Sequence, residues 1–227
     1  MTINRVFHKW HHYSQDGERH TVLPDGCRDV LVLSKPNSAA EIFLSDFDFQ
    51  PRTVTTAPNC AITGFRLRPG ILPCRDVLEA IALDPTQAGA ILGGAFGHSD
   101  ELNSVIAALC APGATPKCVA RAAGVSTRTL QRQFQAKGLP GPDFWRLLAR
   151  ARRAVAMLSG PEPLIEIAGS CGFSDQAHMT RELKRWFAIS PAPLRKTPVI
   201  LDILGQPGLG NWTDEQISTQ YPLGSLT

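Results

Sequence analysis

The chain has 227 residues, 43% of them hydrophobic and 19% charged, enough for one large domain or two small ones with cores of their own. No run of 18 apolar residues occurs, which excludes a membrane-spanning helix, and the first residues lack the apolar stretch of a signal peptide, so the expected location is the cytoplasm. The net charge of +3 hides an asymmetry: residues 1–111 hold 9 basic and 12 acidic side chains (−3), residues 112–197 hold 14 and 5 (+9), and residues 198–227 hold none and 3 (−3).

Residues 1–70 read as β. Short runs of strand formers lie at Thr21–Leu23, Asp29–Leu33, Glu41–Leu44, Arg52–Thr56 and Ala61–Leu67. Pro24-Asp25-Gly26, Lys35-Pro36-Asn37 and Pro58-Asn59 mark the turns between them. This spacing predicts a small barrel or sandwich. Arg66 and Arg68 alternate with Phe65 and Leu67, which puts two guanidiniums on one face. That face fits an anionic effector. It equally fits solvent, or ion pairs to Asp25 or Asp29. His8, His11, His12 and His20 cluster near the start, but no carboxylate stands at a matching position, so no metal or cofactor is expected.

After Pro69-Gly70 the period becomes helical. Val77, Leu78, Ile81 and Ala82 form one stripe. Ser99 is the expected N-cap of a helix to Cys110, with Leu102, Val105, Ile106 and Leu109 on a second stripe. Both stripes fit a core or a dimer seam. The tail from Thr197 has apolar residues without a sustained period, which fits draping over the body or disorder. The six cysteines form no C-x-x-C pair and read as free thiols. The divisions expected are 1–72, β-rich; 73–99, a helical linker or dimerisation segment; 100–197, all-helical; and 198–227, a tail.

Two segments of the helical half are related. Val119–Ser126 (VARAAGVS) matches Ile167–Ser174 (IAGSCGFS) at an offset of 48. One extra residue then enters the second copy, and Leu130, Arg132 and Phe134 match Met179, Arg181 and Leu183 at an offset of 49. Each copy has the parts of a helix-turn-helix. Ala120 or Ala168 allows close crossing of helices. Gly124 or Gly172 permits a positive φ in the turn. Val125 or Phe173 plugs the angle between the helices, and Ser126 or Ser174 can cap the second helix. Leu130 and Phe134 face inward in the first copy, as Met179, Leu183 and Trp186 do in the second. Arginine to guanine and glutamine to adenine are favoured pairings in the major groove. A basic segment carrying two such motifs points to double-stranded DNA. A helix from about Pro142 to Leu158 joins the copies, with Arg146, Arg150, Arg152 and Arg153 interspersed among its apolar residues.

The helical half resembles the DNA-binding domain of the AraC/XylS transcription regulators, from VARAAGVSTRTLQRQFQ through GFSDQAHMTRELKRWF to SPAPLR. The resemblance covers about Asp100–Arg195. Ala188 departs from it where glycine commonly stands, and a slightly altered turn is expected there. Ala177 departs where a polar residue is common. Carried over by position, the resemblance implies base readers Arg128, Gln131 and Arg132 in the first copy, and His178, Thr180 and Arg181 in the second. His178 reads equally well as a packing residue. Ser126, Thr127, Ser174, Gln176 and Lys184 would meet phosphates, and Arg150 a scaffold partner or a phosphate.

Leu23–Leu33 (LPDGCRDVLVL) and Gly64–Gly70 (GFRLRPG) resemble, less specifically, small β sensor domains of the same family. The expected fold is therefore α+β: a small barrel or reduced cupin, then an all-α domain with two helix-turn-helix motifs. The expected function is a transcription regulator that reads two successive major grooves under a small-molecule effector held by Arg66 and Arg68. A homodimer and a contact to RNA polymerase are partners in that reading, and a membrane is not. No G-x-S-x-G, P-loop or H-E-x-x-H occurs, so an enzyme is not expected. The alternative is a metal- or cofactor-dependent barrel enzyme with an appended DNA-binding module.

Overall fold

The structure, a computed structural model, describes residues 6–96, 101–212 and 219–220. The first part is built from β1 (Phe7–Ser14), β2 (Arg19–Val22), β3 (Asp29–Ser34), β4 (Glu41–Leu44), β5 (Arg52–Thr55) and β6 (Cys60–Leu67). A short β7 (Thr219–Gln220) returns to it from the far end of the chain. One sheet has the order β4-β3-β6-β1-β7, with β7 parallel to β1 and the other neighbours antiparallel. A second sheet pairs only β2 with β5.

Alternation decides the two faces of the larger sheet. Val30, Val32, Phe65 and Leu67 point to one side and are buried. Against them pack α1 (Arg75–Leu83) and α2 (Ala88–Ala95), through the fully buried Ile81 and Leu92. The Val77, Leu78 and Ile81 stripe is therefore core, while Ala82 is exposed. On the other face Trp10 crosses Gly64, where an added Cβ would stand 2.0 Å from the indole. Glycine is thus required there for space. This second face looks toward β2 and β5 across a cavity, and the two sheets do not close into a ring among the described residues. The barrel form of the sequence expectation is corrected accordingly. Strands β2 and β5 hydrogen-bond to each other and leave the larger sheet open at β4.

The second part is helical: α3 (Glu101–Cys110), α4 (Pro116–Ala122), α5 (Thr127–Ala136), α6 (Pro142–Met157), α7 (Leu164–Ser170), α8 (Gln176–Phe187), α9 (Pro191–Arg195) and α10 (Pro198–Gly205). Four of these begin at a proline, whose fixed φ suits a first turn and whose missing N–H costs nothing there. Helix α6 is the axis of the core. Its Trp145 and Leu148 are fully buried among Phe134, Leu183 and Trp186, and the Trp145 indole donates to the Pro140 carbonyl at 2.9 Å. Ser99, the expected cap of α3, lies outside the described residues. Leu102, Ile106 and Leu109 of α3 are buried in this core.

The tail joins the two parts. Leu204 and Leu209 are buried in the helical core, and the Leu209 N–H donates to the Asp25 carbonyl at 2.8 Å. Arg152 of α6 donates to the carbonyls of Leu209 and Gln206 at 3.0 Å each, and to Asn211 Oδ1 at 2.8 Å. Phe47 and Phe49 complete the junction, meeting Trp145 edge to face and Phe144 at a tilt, with ring centres 5.5 and 5.0 Å apart. No helix among the described residues is long and apolar enough to cross a membrane.

Candidate nucleic-acid interface

The two related segments fold into the same turn, bond for bond. The Val125 N–H donates to the Ala120 carbonyl at 2.9 Å, and Phe173 to Ala168 at 2.9 Å. The Gly124 N–H reaches the Arg121 carbonyl at 3.1 Å, and Gly172 reaches Gly169 at 3.0 Å. The two glycines take φ of +69° and +75°. An added Cβ would meet nothing within 4 Å at either, so conformation and not space selects glycine. Val119, Ala120, Ile167 and Ala168 are buried, so the small residues sit where the helices cross.

The caps differ. Ser126 Oγ accepts from the Thr129 N–H at 3.1 Å and caps α5 as expected. In the second unit Asp175 is the cap, accepting from the His178 N–H at 2.6 Å. The inserted residue moved the cap one place beyond Ser174. Ser174 instead hydrogen-bonds His178 Nδ1 at 3.0 Å, and the same ring meets Phe173 edge-on at 5.4 Å. The His178 backbone N–H and nearby groups hold the Asp175 carboxyl below the usual carboxylate range.

The outer faces carry the expected side chains. Arg128, Gln131 and Arg132 are exposed on α5, with Thr127 half-buried at its start. Gln176, Ala177, Arg181 and Lys184 are exposed on α8. Thr180 is half-buried, and its hydroxyl donates to the Gln176 carbonyl at 2.9 Å. None of Arg128, Arg132, Arg181 and Lys184 forms an ion pair among the described residues.

The arginines of α6 are different. Arg150 stacks on the Phe173 ring at 4.5 Å, donates to the Gly172 carbonyl at 3.3 Å and faces Glu182 at 4.0 Å. It clamps the second turn to the axis helix. Arg152 holds the tail, Arg153 donates to the Cys110 carbonyl, and Arg146 pairs with Asp143 at 2.7 Å. The +9 segment therefore divides into cations used inside the fold and cations presented outside it.

A helix-turn-helix domain family matches residues 119–197. Over 71 residues the chain is 39% identical to the HTH-type transcriptional regulator VirS of Mycobacterium tuberculosis, covering 30% of this chain and 20% of that protein. Residues 119–197 hold a helix-turn-helix domain. The chain spans about a fifth of the length of the VirS protein. An AraC-type transcriptional regulator from Chromobacterium violaceum is similar at 28% identity over 42% of this chain and 80% of that one, with a TM-score of 0.34. ToxT of Vibrio cholerae is similar at 11% identity over 88% and 99%, with a TM-score of 0.44.

Outside the helix-turn-helix domain, a cavity of about 420 Å³ lies between the two sheets. Leu31, Leu33, Val54 and Ile62 give it apolar walls, and Arg152 and Leu204 of the helical part close one end. Arg66 lines it, but its guanidinium is bridged to Asp25 at 3.1 Å and Asp29 at 3.6 Å, and donates to the Pro207 carbonyl at 3.2 Å. Burial pushes the Asp29 carboxyl up. Arg68 does not share this cavity. It follows the end of β6 and lines a separate groove with Ile71, Asn103 and Ile106. The structure thus separates the two arginines that alternation placed on one face.

Three functional features escaped the sequence. Asp175 is masked in the sequence by Ser174, which has the same capping chemistry one place earlier. Arg152 reads as another outward cation until Leu209 and Asn211 are known to fold back on it. Glu18 stands beside His12 and His20, at 3.5 and 3.6 Å, a carboxylate that sequence spacing did not single out. The signal available was the turn at Gly17, which folds β2 back toward β1.

Proposed function

We propose that the chain binds double-stranded DNA sequence-specifically and regulates transcription, with α5 and α8 entering two successive major grooves. One observation carries this reading: two identical turns present uncompensated cations and amides outward, while Arg150, Arg152 and Arg153 between them are bound inside. In the first unit Arg128, Gln131 and Arg132 read bases, and the α5 terminus at Ser126 and Thr127 meets phosphate. In the second, Arg181 is the principal reader. His178 and Thr180 lie beside it with ring and hydroxyl engaged in the unit itself, and Ser174, Gln176 and Lys184 face the backbone of the duplex. The 16 residues of α6 span about 24 Å. With the widths of the flanking helices added, this suits readers about 34 Å apart on one face of DNA.

The cavity of the N-terminal part is the place for a small-molecule effector. Its apolar walls and the internally balanced Arg66 favour a ligand that is mainly apolar over a strongly anionic one. Arg152 and Leu204 touch both the cavity and the helical core, so an occupant can bias how the two parts sit.

The test is binding to DNA selected from a random pool. Arg181→Ala should lose affinity by about 5- to 150-fold, with relaxed preference at one base position. Lys184→Ala should weaken all sequences alike and reduce the salt slope by about one. An Arg181→Ala protein with unchanged affinity for the selected site contradicts the reading.

A further inference from the structure

We propose that His12, Glu18 and His20 form a binding site for a divalent transition-metal ion of the zinc class. His12 lies on β1, His20 on β2, and Glu18 in the turn between them. One ligand atom from each lies within 4.8 Å of the other two. Glu18 Oε2 stands 3.5 Å from His12 Nε2 and 3.6 Å from His20 Nε2, and the two rings meet edge to face at 4.9 Å. A tetrahedral zinc ion with bonds of about 2.0–2.1 Å places its ligand atoms about 3.4 Å apart. The two carboxylate-to-imidazole spacings match that figure.

Burial points the same way. The His12 and His20 side chains are 7% and 4% exposed, and Glu18 is 39% exposed, so the group opens to solvent on the carboxylate side. His12 Nε2 is buried without a hydrogen-bond partner. A buried imidazole nitrogen in that condition calls for an occupant such as an ion or a water. Two imidazoles and one carboxylate suit zinc and its neighbours in the first transition row, whereas calcium and magnesium take all-oxygen sets. Three protein ligands leave a fourth position open. The Thr56 hydroxyl, which donates to Ser14 at 2.8 Å, lies 3.4 Å from His20 Nε2 beside the group. His20 and Thr56 also line the cavity between the sheets. A bound ion therefore ties β1 of the larger sheet to β2 of the smaller one at the cavity wall. This site stands independently of how DNA is read.

The experiment uses the full chain, stripped with a chelator and then titrated with Zn²⁺ by calorimetry and thermal melting, and with Co²⁺ by absorption. One equivalent should bind, and at 100 times its Kd the melting temperature should rise by about 5–11 °C. The Co²⁺ spectrum should show tetrahedral bands without a thiolate charge-transfer band. Glu18→Gln, at the exposed ligand, should melt like the metal-free wild type and bind Zn²⁺ more than about tenfold more weakly, as should His20→Gln. Absence of stoichiometric binding overturns the proposal. So does unchanged affinity in both variants, or a thiolate band that moves the ion to the exposed Cys74 or Cys118.

Discussion

The two helix-turn-helix units share one backbone and differ in what holds it. In the first, the plug Val125 is half-buried and the cap is a neutral serine. In the second, the plug Phe173 is buried, Arg150 stacks on its outer side, the His178 ring meets its edge, and the cap is a carboxylate. The same hydrogen bonds can thus be secured by few or by many side-chain contacts. The unit with more internal contacts has fewer groups left to offer. Of its three candidate base readers, His178 and Thr180 are engaged within the unit and Arg181 is exposed.

Removing the plugs tests this contrast most strongly. Phe173→Ala should cost about 3–5 kcal/mol of stability, because it empties a packed site and strips Arg150 of its partner. Val125→Ala should cost about 1–2 kcal/mol, because part of its surface already meets water. Urea denaturation measures both. Equal losses would mean that the second unit is no more tightly held than the first.

The caps give a smaller and pH-dependent difference. The Asp175 carboxyl titrates lower in the folded chain than in the unfolded one, so its contribution is complete above the unfolded value, about 3.9, and is lost as pH falls through the folded one. Ser126 has no such dependence. Amide exchange at the start of α8 should therefore accelerate in acid relative to the start of α5, and Asp175→Asn should flatten that difference. Parallel acceleration at both helix starts would remove the distinction.

The repeat was legible because it is local. Glycine, plug and small crossing residue lie within eight positions, and the structure forms the same bonds at both. Ala188, noted as a departure from glycine, takes φ of +58° at the end of α8, a left-handed conformation that costs about 1 kcal/mol with a Cβ. What was not legible depends on distant partners. Nothing in the α6 sequence separates Arg152 from outward cations, since Leu209 meets it only in three dimensions. Strand β1 was hidden by its histidines and lysine, which interrupt Phe7, Trp10 and Tyr13 on both faces and mask the apolar period. The open sheet arrangement depends on β2 pairing with β5, a choice that short strands do not announce.

The most direct test of the central claim is the affinity profile of wild type, Arg132→Ala and Arg181→Ala across every single-base substitution of a selected DNA site. The account predicts that each variant loses discrimination at its own position, and that the two positions lie about 10 base pairs apart. Loss at one shared position, or no loss for either variant, would contradict a protein that reads two successive grooves with α5 and α8.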